Sequence, residues 1–311
     1  MKLRFVLAVA LVAALAIPSL LAAQHNQPVH AGVQPVTLKF RTIDIPADES
    51  TQIYAINNNN DGAGIYFDST GLQHGMLLQG DHLTKIDDPK AMPGTTFCFG
   101  INDSDVVAGY YTNVAGFEVG FTFQIQNGVR TFTDVQPFPS PDVQIYGINN
   151  SGVLTGAYYD GSEKVWNAFY GSGTTFTSFT IPGGGYYVYG SAINDAELIA
   201  VGYYVDLNNP VYLAYVYNPK TQMFTGPISV PGAAQTYVNG INNKNHTVYT
   251  WLDTGGHKHG AVFANRMFYT FDDPAGTDTA GDGINDNDII VGTFLPTGDT
   301  QRQSFVATPQ P

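Results

Sequence analysis

The chain has 311 residues, with 13 Lys and Arg against 26 Asp and Glu, which gives a formal net charge of −13 at pH 7. This balance argues against binding to nucleic acid or to an anionic membrane surface, because both require clustered basic residues. A single cysteine, Cys98, excludes an intramolecular disulfide, and we expect its thiol to be a small buried apolar group.

The N-terminal residues have the pattern of a secretory signal peptide. Lys2 and Arg4 precede an uninterrupted apolar run over residues 5–16, and small residues follow up to Ala23. This run is too short for a resident membrane helix and no second one follows, so we predict no membrane span. We predict a signal peptide over residues 1–23 that is removed from a secreted protein, extracellular or periplasmic. Residues 24–36 lack periodicity and are predicted to form a flexible leader.

Six copies of one motif, here called the anchor, organise residues 37–311. Each anchor has Ala or Gly, then Ile, then Asn, then Asn or Asp, and the copies begin at Ala55, Gly100, Gly147, Ala192, Gly240 and Gly283. Successive Ile residues are 45, 47, 45, 48 and 43 positions apart. A period in the forties, rich in strand formers and Gly turns, is typical of β-propeller blades.

Each repeat contains four predicted strands: the anchor strand, a strand with a central aromatic residue, a third strand, and a fourth that ends in Pro. The sixth repeat stops one strand short, whereas residues 38–46 form a surplus strand of the fourth type. If this strand completes the last blade, the ring closes without an open edge. We therefore predict an all-β fold: a six-bladed β-propeller with four antiparallel strands per blade, forming one domain over residues 37–311.

Three further columns support this repeat. The Ala or Gly before each Ile is predicted to lie near the axis, where blades converge. The two polar residues after Ile are predicted to form a turn through hydrogen bonds between side chain and backbone. Gly recurs eight residues after Ile in four repeats, at Gly64, Gly109, Gly156 and Gly292, and an aromatic residue stands two positions later in every repeat. We expect these aromatic side chains to pack between blades.

The repeat resembles the HAF-type extracellular repeat family of bacterial secreted proteins, whose unit resembles GINN.G.i.G.Y.D..G..HGF followed by FT.iD.PGA. The first repeat matches from Ile56 through Asp68 to His74, and the fifth matches through Asp253 to His259. The resemblance covers roughly residues 38–308. It implies secretion and a repeated β fold, and it implies no enzyme activity.

Four carboxylates are candidate ligand-binding groups, because they follow the second strand of their repeats: Asp68, Asp160, Asp206 and Asp253. They are expected on the face that carries the links between blades, where they could bind Ca²⁺ or sugar hydroxyls. The simpler interpretation is that each Asp caps a turn. Three aromatic residues in the predicted links are candidates for exposed ligand contacts: Phe138, Tyr186 and Tyr187.

His257 and His259 are candidate metal ligands, because alternate residues of a strand point to the same side and imidazole binds Zn²⁺. His259 is also the histidine of the repeat, matched by His74, which favours a structural role. No cofactor is firmly predicted. No nucleophile elbow, phosphate loop or CxxC motif occurs, and the adjacent pairs Asp87-Asp88 and Asp272-Asp273 point to opposite faces of their strands, so no catalytic residue is assigned.

The sequence predicts a secreted, monomeric binding module for carbohydrate or protein. The first alternative is a glycoside hydrolase or lyase with its site at the mouth of the central channel, and the second is a structural envelope or matrix protein. An unrepeated cluster of carboxylate, His or Arg would favour the enzyme, whereas equivalent pockets in every repeat would favour multivalent binding.

Overall fold

The computed structural model describes residues 32–43, 50–204 and 212–310. These residues form β-strands, turns and links, and none of them is helical. Accordingly, the described residues include no helix that could cross a membrane. The predicted signal peptide, most of the predicted leader and Asp206 lie outside the described residues. The all-β prediction is confirmed.

Successive antiparallel strands form four-stranded meanders, each joined to the next by a link. The first meander, one sheet, contains β3 (Thr51–Ile56), β4 (Gly62–Phe67), β5 (Gln73–Gln79) and β6 (His82–Ile86). The second, also one sheet, contains β7 (Ala91–Ile101), β8 (Val107–Asn113), β9 (Glu118–Gln126) and β10 (Val129–Val135).

Two further meanders are joined in one eight-stranded sheet. One contains β11 (Val143–Ile148), β12 (Leu154–Asp160), β13 (Val165–Ser172) and β14 (Thr175–Phe179). The other contains β15 (Tyr187–Ile193), β16 (Ile199–Tyr204), β17 (Tyr212–Asn218) and β18 (Met223–Ile228). A single parallel pair, Trp166 with Tyr187, joins the two meanders. The predicted separation of every four-stranded unit is therefore not seen here, because two aromatic residues bring β13 and β15 together, with ring centroids 5.2 Å apart.

The last two sheets combine strands from both ends of the chain. One contains β19 (Gln235–Ile241), β20 (Thr247–Leu252), β21 (Lys258–Ala264) and β22 (Met267–Phe271), to which β1 (Gly32–Pro35) adds in parallel. The other contains β23 (Gly276–Ile284), β24 (Ile290–Pro296) and β25 (Gln303–Pro309), and β2 (Leu38–Ile43) pairs with β25. The described strands thus form five sheets, and none of these sheets closes on itself.

The two N-terminal strands pair with strands from the C-terminal part of the chain. β2 pairs antiparallel with β25 over six residues, and the ring of Phe40 packs edge-on against Phe305 with centroids 5.2 Å apart. Gly32–Pro35 were predicted to belong to the flexible leader, but the structure places them in β1. The reason is that β22 is the edge strand of its meander, and its backbone N–H and C=O groups on that edge pair with β1.

The Gly column is explained by the register of the first two strands in four meanders. A Cβ atom built at Gly64, Gly109, Gly156 or Gly292 would lie 1.9 to 2.0 Å from a carbonyl oxygen of the facing strand. The register of each pair shifts beside this position, which is typical of a β-bulge. A larger side chain would therefore force the two strands apart.

Apolar side chains between neighbouring meanders form the core. Cys98 is fully buried with Phe121 and Phe123, which confirms the expected apolar role of the thiol. Burial raises the pKa of this thiol far above its usual range. In the column of aromatic residues, Tyr66, Tyr111 and Phe294 are buried, as expected of side chains that pack between sheets.

Candidate functional site

The six anchor turns meet in a closed circle of hydrogen bonds at one end of the strands. The first Asn of each anchor caps its own turn, as Asn57 does by accepting bonds from the backbone N–H groups of Asn59 and Asp61. Its Nδ2 then donates to the backbone carbonyl of the corresponding Asn in the next anchor, at 2.9 to 3.2 Å, and Asn285 completes the circle on Asn57. The predicted turn role of these residues is confirmed.

The second polar residue of each anchor forms an outer circle, here called the Asn/Asp ring. Asn and Asp alternate around it: Asn58, Asp103, Asn150, Asp195, Asn243 and Asp286. Each backbone N–H donates to the side-chain Oδ1 of the next member, and each Asn Nδ2 donates to the carboxylates on both sides, at 2.7 to 2.9 Å. The three Asp carboxylates of the ring thus accept hydrogen bonds from neighbouring members of the ring.

A channel runs from the Asn/Asp ring between the anchors and widens towards its other end. The anchor Ile side chains line two narrow spaces of about 70 Å³ each. Beyond them, the residues two positions before each Ile form the mouth ring: Tyr54, Phe99, Tyr146, Ser191, Asn239 and Asp282. All six are half-buried. Unlike the Asn/Asp ring, the mouth ring differs from repeat to repeat.

Two adjoining cavities open at the mouth ring and share Tyr54, Asn239 and Asp282. The first, of about 230 Å³, is lined mainly by aromatic residues and is here called the aromatic cavity. The second, of about 360 Å³, is lined largely by polar and charged side chains and is here called the polar cavity. A pocket with an apolar wall and a few converging polar groups is typical of a small-ligand site.

Stacked rings form one wall of the aromatic cavity. Phe99 stacks on Tyr54 with centroids 4.8 Å apart and contacts Tyr110 at 5.7 Å, nearly parallel. Tyr146 meets Phe99 edge-on at 5.2 Å. The Tyr146 hydroxyl is hydrogen-bonded to Gln144 and, at 2.8 Å, to the Tyr187 hydroxyl. Burial raises the pKa of Tyr146 well above its usual range, so this phenol stays neutral.

Charged groups line the adjoining polar cavity, around Asp282. Burial raises the pKa of the Asp282 carboxyl to about 7, against the opposing effects of Arg302, Lys258 and a hydrogen bond from Thr293. Among the described residues that line the polar cavity, Asp282 is the single carboxylate. Burial also raises the pKa of Tyr54, and the nearby Asp282 raises it further.

The arginine of this cavity is held by the backbone and side chains of neighbouring strands. Arg302 Nε donates to Thr293 Oγ1 and Arg302 Nη2 to the Thr293 carbonyl, both at 3.1 Å, and Nη2 also donates to the Asp278 carbonyl. On the same side, Asn239 Nδ2 donates to Thr250 Oγ1 at 3.0 Å and to the Gly281 carbonyl at 2.7 Å. These bonds fix both side chains beside the cavity.

The described candidate carboxylates cap turns outside the mouth. Asp68 accepts bonds from Thr70 and from the Leu72 N–H, and these bonds together with His74 lower its pKa. Ser162 lowers the pKa of Asp160 in the same way. Asp253 accepts bonds from the N–H groups of its own turn, chiefly that of His257, which lowers its pKa. None of the three lines either mouth cavity.

The candidate aromatic residues lie partly buried rather than free in links. Phe138 stacks on Tyr158 with centroids 4.1 Å apart and packs against the core. Tyr187 begins β15, and its hydroxyl bonds to Tyr146 behind the aromatic wall. Tyr186 is half-buried, and its carbonyl accepts a bond from the Trp166 N–H. Their prediction as ligand contacts stays untested, although Tyr187 supports a residue of the mouth ring.

The two candidate metal ligands do not converge. His257 is exposed, with Nδ1 3.8 Å from an Asp278 oxygen, whereas His259 bonds Asp272 through Nδ1 at 2.9 Å and stacks on Trp251. Within residues 32–43, 50–204 and 212–310, no group of three or more His, Cys, Asp or Glu side chains could hold a metal ion. His74 likewise bonds two carboxylates, Asp68 and Asp87, which supports a shared structural role.

Sequence reasoning missed the mouth ring, although a signal was present. Two positions before each anchor Ile, the sequence reads Tyr, Phe, Tyr, Ser, Asn and Asp along the six repeats. The residues at this position differ in size and polarity from repeat to repeat, whereas the residues of the anchor hardly differ. A column whose position is fixed but whose residues differ is not required by the scaffold, which makes the mouth ring a candidate binding surface.

No protein-family model matches the chain, and no curated protein matches it. Among solved structures, AofleA from Arthrobotrys oligospora is similar with a TM-score of 0.50 and 13% identity, over 92% of this chain and 87% of that one. A protein of unknown function from Dyadobacter fermentans has a TM-score of 0.53 and 9% identity, over 88% and 98%.

A lectin from Aleuria aurantia, described as a six-bladed β-propeller with a fucose recognition mode, has a TM-score of 0.46 and 11% identity over 85% of this chain and 96% of that one. At these identities, the structural likenesses bear on the fold alone. Together with the repeated antiparallel meanders, the likeness to AofleA indicates a β-propeller fold for this chain.

Proposed function

We propose that this protein is a secreted β-propeller that binds a saccharide at the mouth of its central channel. One observation carries the proposal: the stacked rings of Tyr54 and Phe99 line one cavity, and the polar groups of Asn239, Asp282 and Arg302 line the cavity that adjoins it. The apolar face of a sugar ring packs on aromatic side chains, while its hydroxyls bond to polar groups. One unrepeated site is thus proposed, which argues against multivalent binding in every repeat; its carboxylate and arginine also favour the enzymatic alternative described below.

The proposed protein has six blades, each formed by one four-stranded meander. The pairing of β2 with β25 supports completion of the last blade by the N-terminal strand, and the closed circles of anchor hydrogen bonds support a continuous ring. Secretion with removal of residues 1–23, a monomeric state and membership of the HAF-type repeat family complete the proposal. They follow from the sequence patterns.

A glycan array probed with the mature protein tests the binding function, and calorimetry then measures each hit. Phe99→Ala removes the central ring of the aromatic wall and should weaken binding about tenfold. Phe117→Ala is the matched control, because Phe117 is 45% exposed and lines neither mouth cavity. The proposal fails if no saccharide binds. If saccharides bind and Phe99→Ala binds as the wild type does, the site lies elsewhere.

The alternative function is enzymatic, and the observation that favours it is Asp282. A carboxyl with a pKa of about 7 can give and take a proton near neutral pH. Glycoside hydrolysis generally uses two carboxyl groups across the bond, whereas the described lining of the polar cavity contains one. A lyase that needs a single base is therefore the better enzymatic candidate. Release of new sugar chain ends by the wild type, lost in Asp282→Asn, would support it.

A further inference from the structure

The charge of the polar cavity is opposite to that of the whole chain. The sequence has twice as many acidic as basic residues, yet Lys258 and Arg302 both line this cavity. Both act on Asp282, since each lowers its pKa. The whole chain has 13 Lys and Arg, so two of them in one cavity are a local concentration of positive charge. Their field would attract a negatively charged ligand.

Arg302 presents a fixed edge of its guanidinium group. The hydrogen bonds described for it come from Nε and Nη2, which hold the group against Thr293 and the Asp278 carbonyl. These three bonds use the N–H of Nε and both N–H groups of Nη2, so the two N–H groups of Nη1 are left to donate to a ligand carboxylate from a half-buried, oriented group. Lys258 is exposed beside it and supplies a mobile second charge.

Asp282 does not cancel these two charges at neutral pH or below. With a pKa of about 7, it is at most half ionised there, and its protonated form can donate a hydrogen bond. The groups that face it are Arg302, Lys258, Thr293 and Tyr54, and Tyr54 stays neutral because burial raises its pKa. Asp278 is a further carboxylate beside this cavity, since it acts on Arg302 and accepts a bond from the Lys258 N–H. When Asp282 is protonated, Arg302 and Lys258 still outnumber this one carboxylate, so a net positive charge remains next to the ring of Tyr54.

We infer that the polar cavity binds an acidic saccharide, a uronate unit whose carboxylate pairs with Arg302 and Lys258 while its ring packs towards Tyr54. This inference rests on the proposed saccharide-binding function and names the class of sugar. A neutral sugar would leave the two cations without a ligand partner. A carboxylate pairs with them, and its sugar ring still presents an apolar face to the aromatic wall.

Matched ligands that differ in charge test the inference. The mature protein is titrated by calorimetry with a panel of uronate oligosaccharides and with their carboxyl-reduced counterparts, which keep the linkages and lose the charge. We expect at least about tenfold tighter binding of a uronate form, weakening with added salt. Binding should also weaken as the pH rises through about 7, because Asp282 then becomes an anion.

Matched variants locate the charge effect. Arg302→Gln and Lys258→Gln should each weaken the binding of uronates severalfold or more, and should weaken the binding of reduced sugars much less. Lys220→Gln is the control, because Lys220 lies in the turn between β17 and β18 and lines neither mouth cavity. Lys258→Gln breaks no described hydrogen bond, so it remains informative if Arg302→Gln is unstable.

The possible failures are distinguishable. If the reduced sugars bind as tightly as the uronates, or if both variants at the cavity bind uronates as the wild type does, the inference is overturned and the proposed function stands. If neither class of saccharide binds, the proposed function itself fails.

Discussion

Asp282→Asn should make the protein more stable at alkaline pH while leaving its stability in acid unchanged. An unperturbed Asp has a pKa of about 3.9, and burial in the mouth raises that of Asp282 to about 7. Between these values the folded state keeps a proton that the unfolded state has released. The free energy of unfolding contributed by Asp282 is therefore fully present below about pH 4 and falls as the pH rises to about 7.

The size of this effect follows from the difference between the two pKa values. About three pH units at ~1.4 kcal/mol each give a loss of up to about 4 kcal/mol above pH 7. Asn has nearly the same shape, can still accept the bond from Thr293, and carries no charge to desolvate. The variant should thus gain up to about 4 kcal/mol over the wild type at about pH 8, and almost nothing at about pH 4.

Urea unfolding of both proteins at about pH 4, 6 and 8 measures the difference directly. Asp81→Asn serves as the control, because it removes the same charge from an exposed turn between β5 and β6. A gain for Asp282→Asn that does not grow between pH 4 and pH 8 would refute the reasoning. An equal gain for Asp81→Asn would assign the effect to net charge instead of burial.

Three further predictions concern the scaffold. Asp195→Asn places an amide between two amides of the Asn/Asp ring, so we expect a loss of about 2 kcal/mol in urea unfolding, well above that of the exposed-turn control. Gly156→Ala should lower the free energy of unfolding by more than about 2 kcal/mol, because the added Cβ would lie 2.0 Å from a carbonyl oxygen. Gly161→Ala is the control and should be nearly neutral, because the nearest atom to its added Cβ is 4.0 Å away. Equal effects of the two substitutions would contradict the steric argument. Deleting residues 1–43, which removes β2, should lower the Tm by about 10 °C or more in a thermal melt. Deleting residues 1–36, which leaves β2 in place, should lower the Tm less. Similar Tm values for the two deletion variants would show that β2 does not complete a blade.

The sequence was sufficient for the parts of the fold that repeat. The anchor period located the strands, and the turn role of residues such as Asn149 followed from side-chain chemistry. The Asp residues after the second strands were also rightly suspected of capping turns, as Asp160 shows. These features depend on contacts between residues close together in the sequence, and the residues that form them recur in several repeats.

The candidate site could not be predicted in this way, because its members come from different repeats. Tyr54 lies near one end of the chain and Asp282 near the other, and they meet when the anchors form a circle. Lys258 and Arg302 occupy the same position of the fifth and sixth repeats, but the first three repeats have Gln73, Glu118 and Trp166 there, so the positive charge is not part of the repeated pattern. Their common role depends on which side of the channel each loop reaches, and that is a property of the assembled ring.

The alternation in the Asn/Asp ring also limits how such a protein can gain or lose repeats. Each Asn amide donates to two carboxylates, so every Asn needs an Asp on either side. A circle of two alternating kinds closes without a mismatch when its members are even in number. Adding one repeat would place two like residues side by side, whereas adding a pair would preserve the pattern. A pair of repeats is therefore the smallest addition that preserves the alternation, and the ring of this chain contains three Asn–Asp pairs.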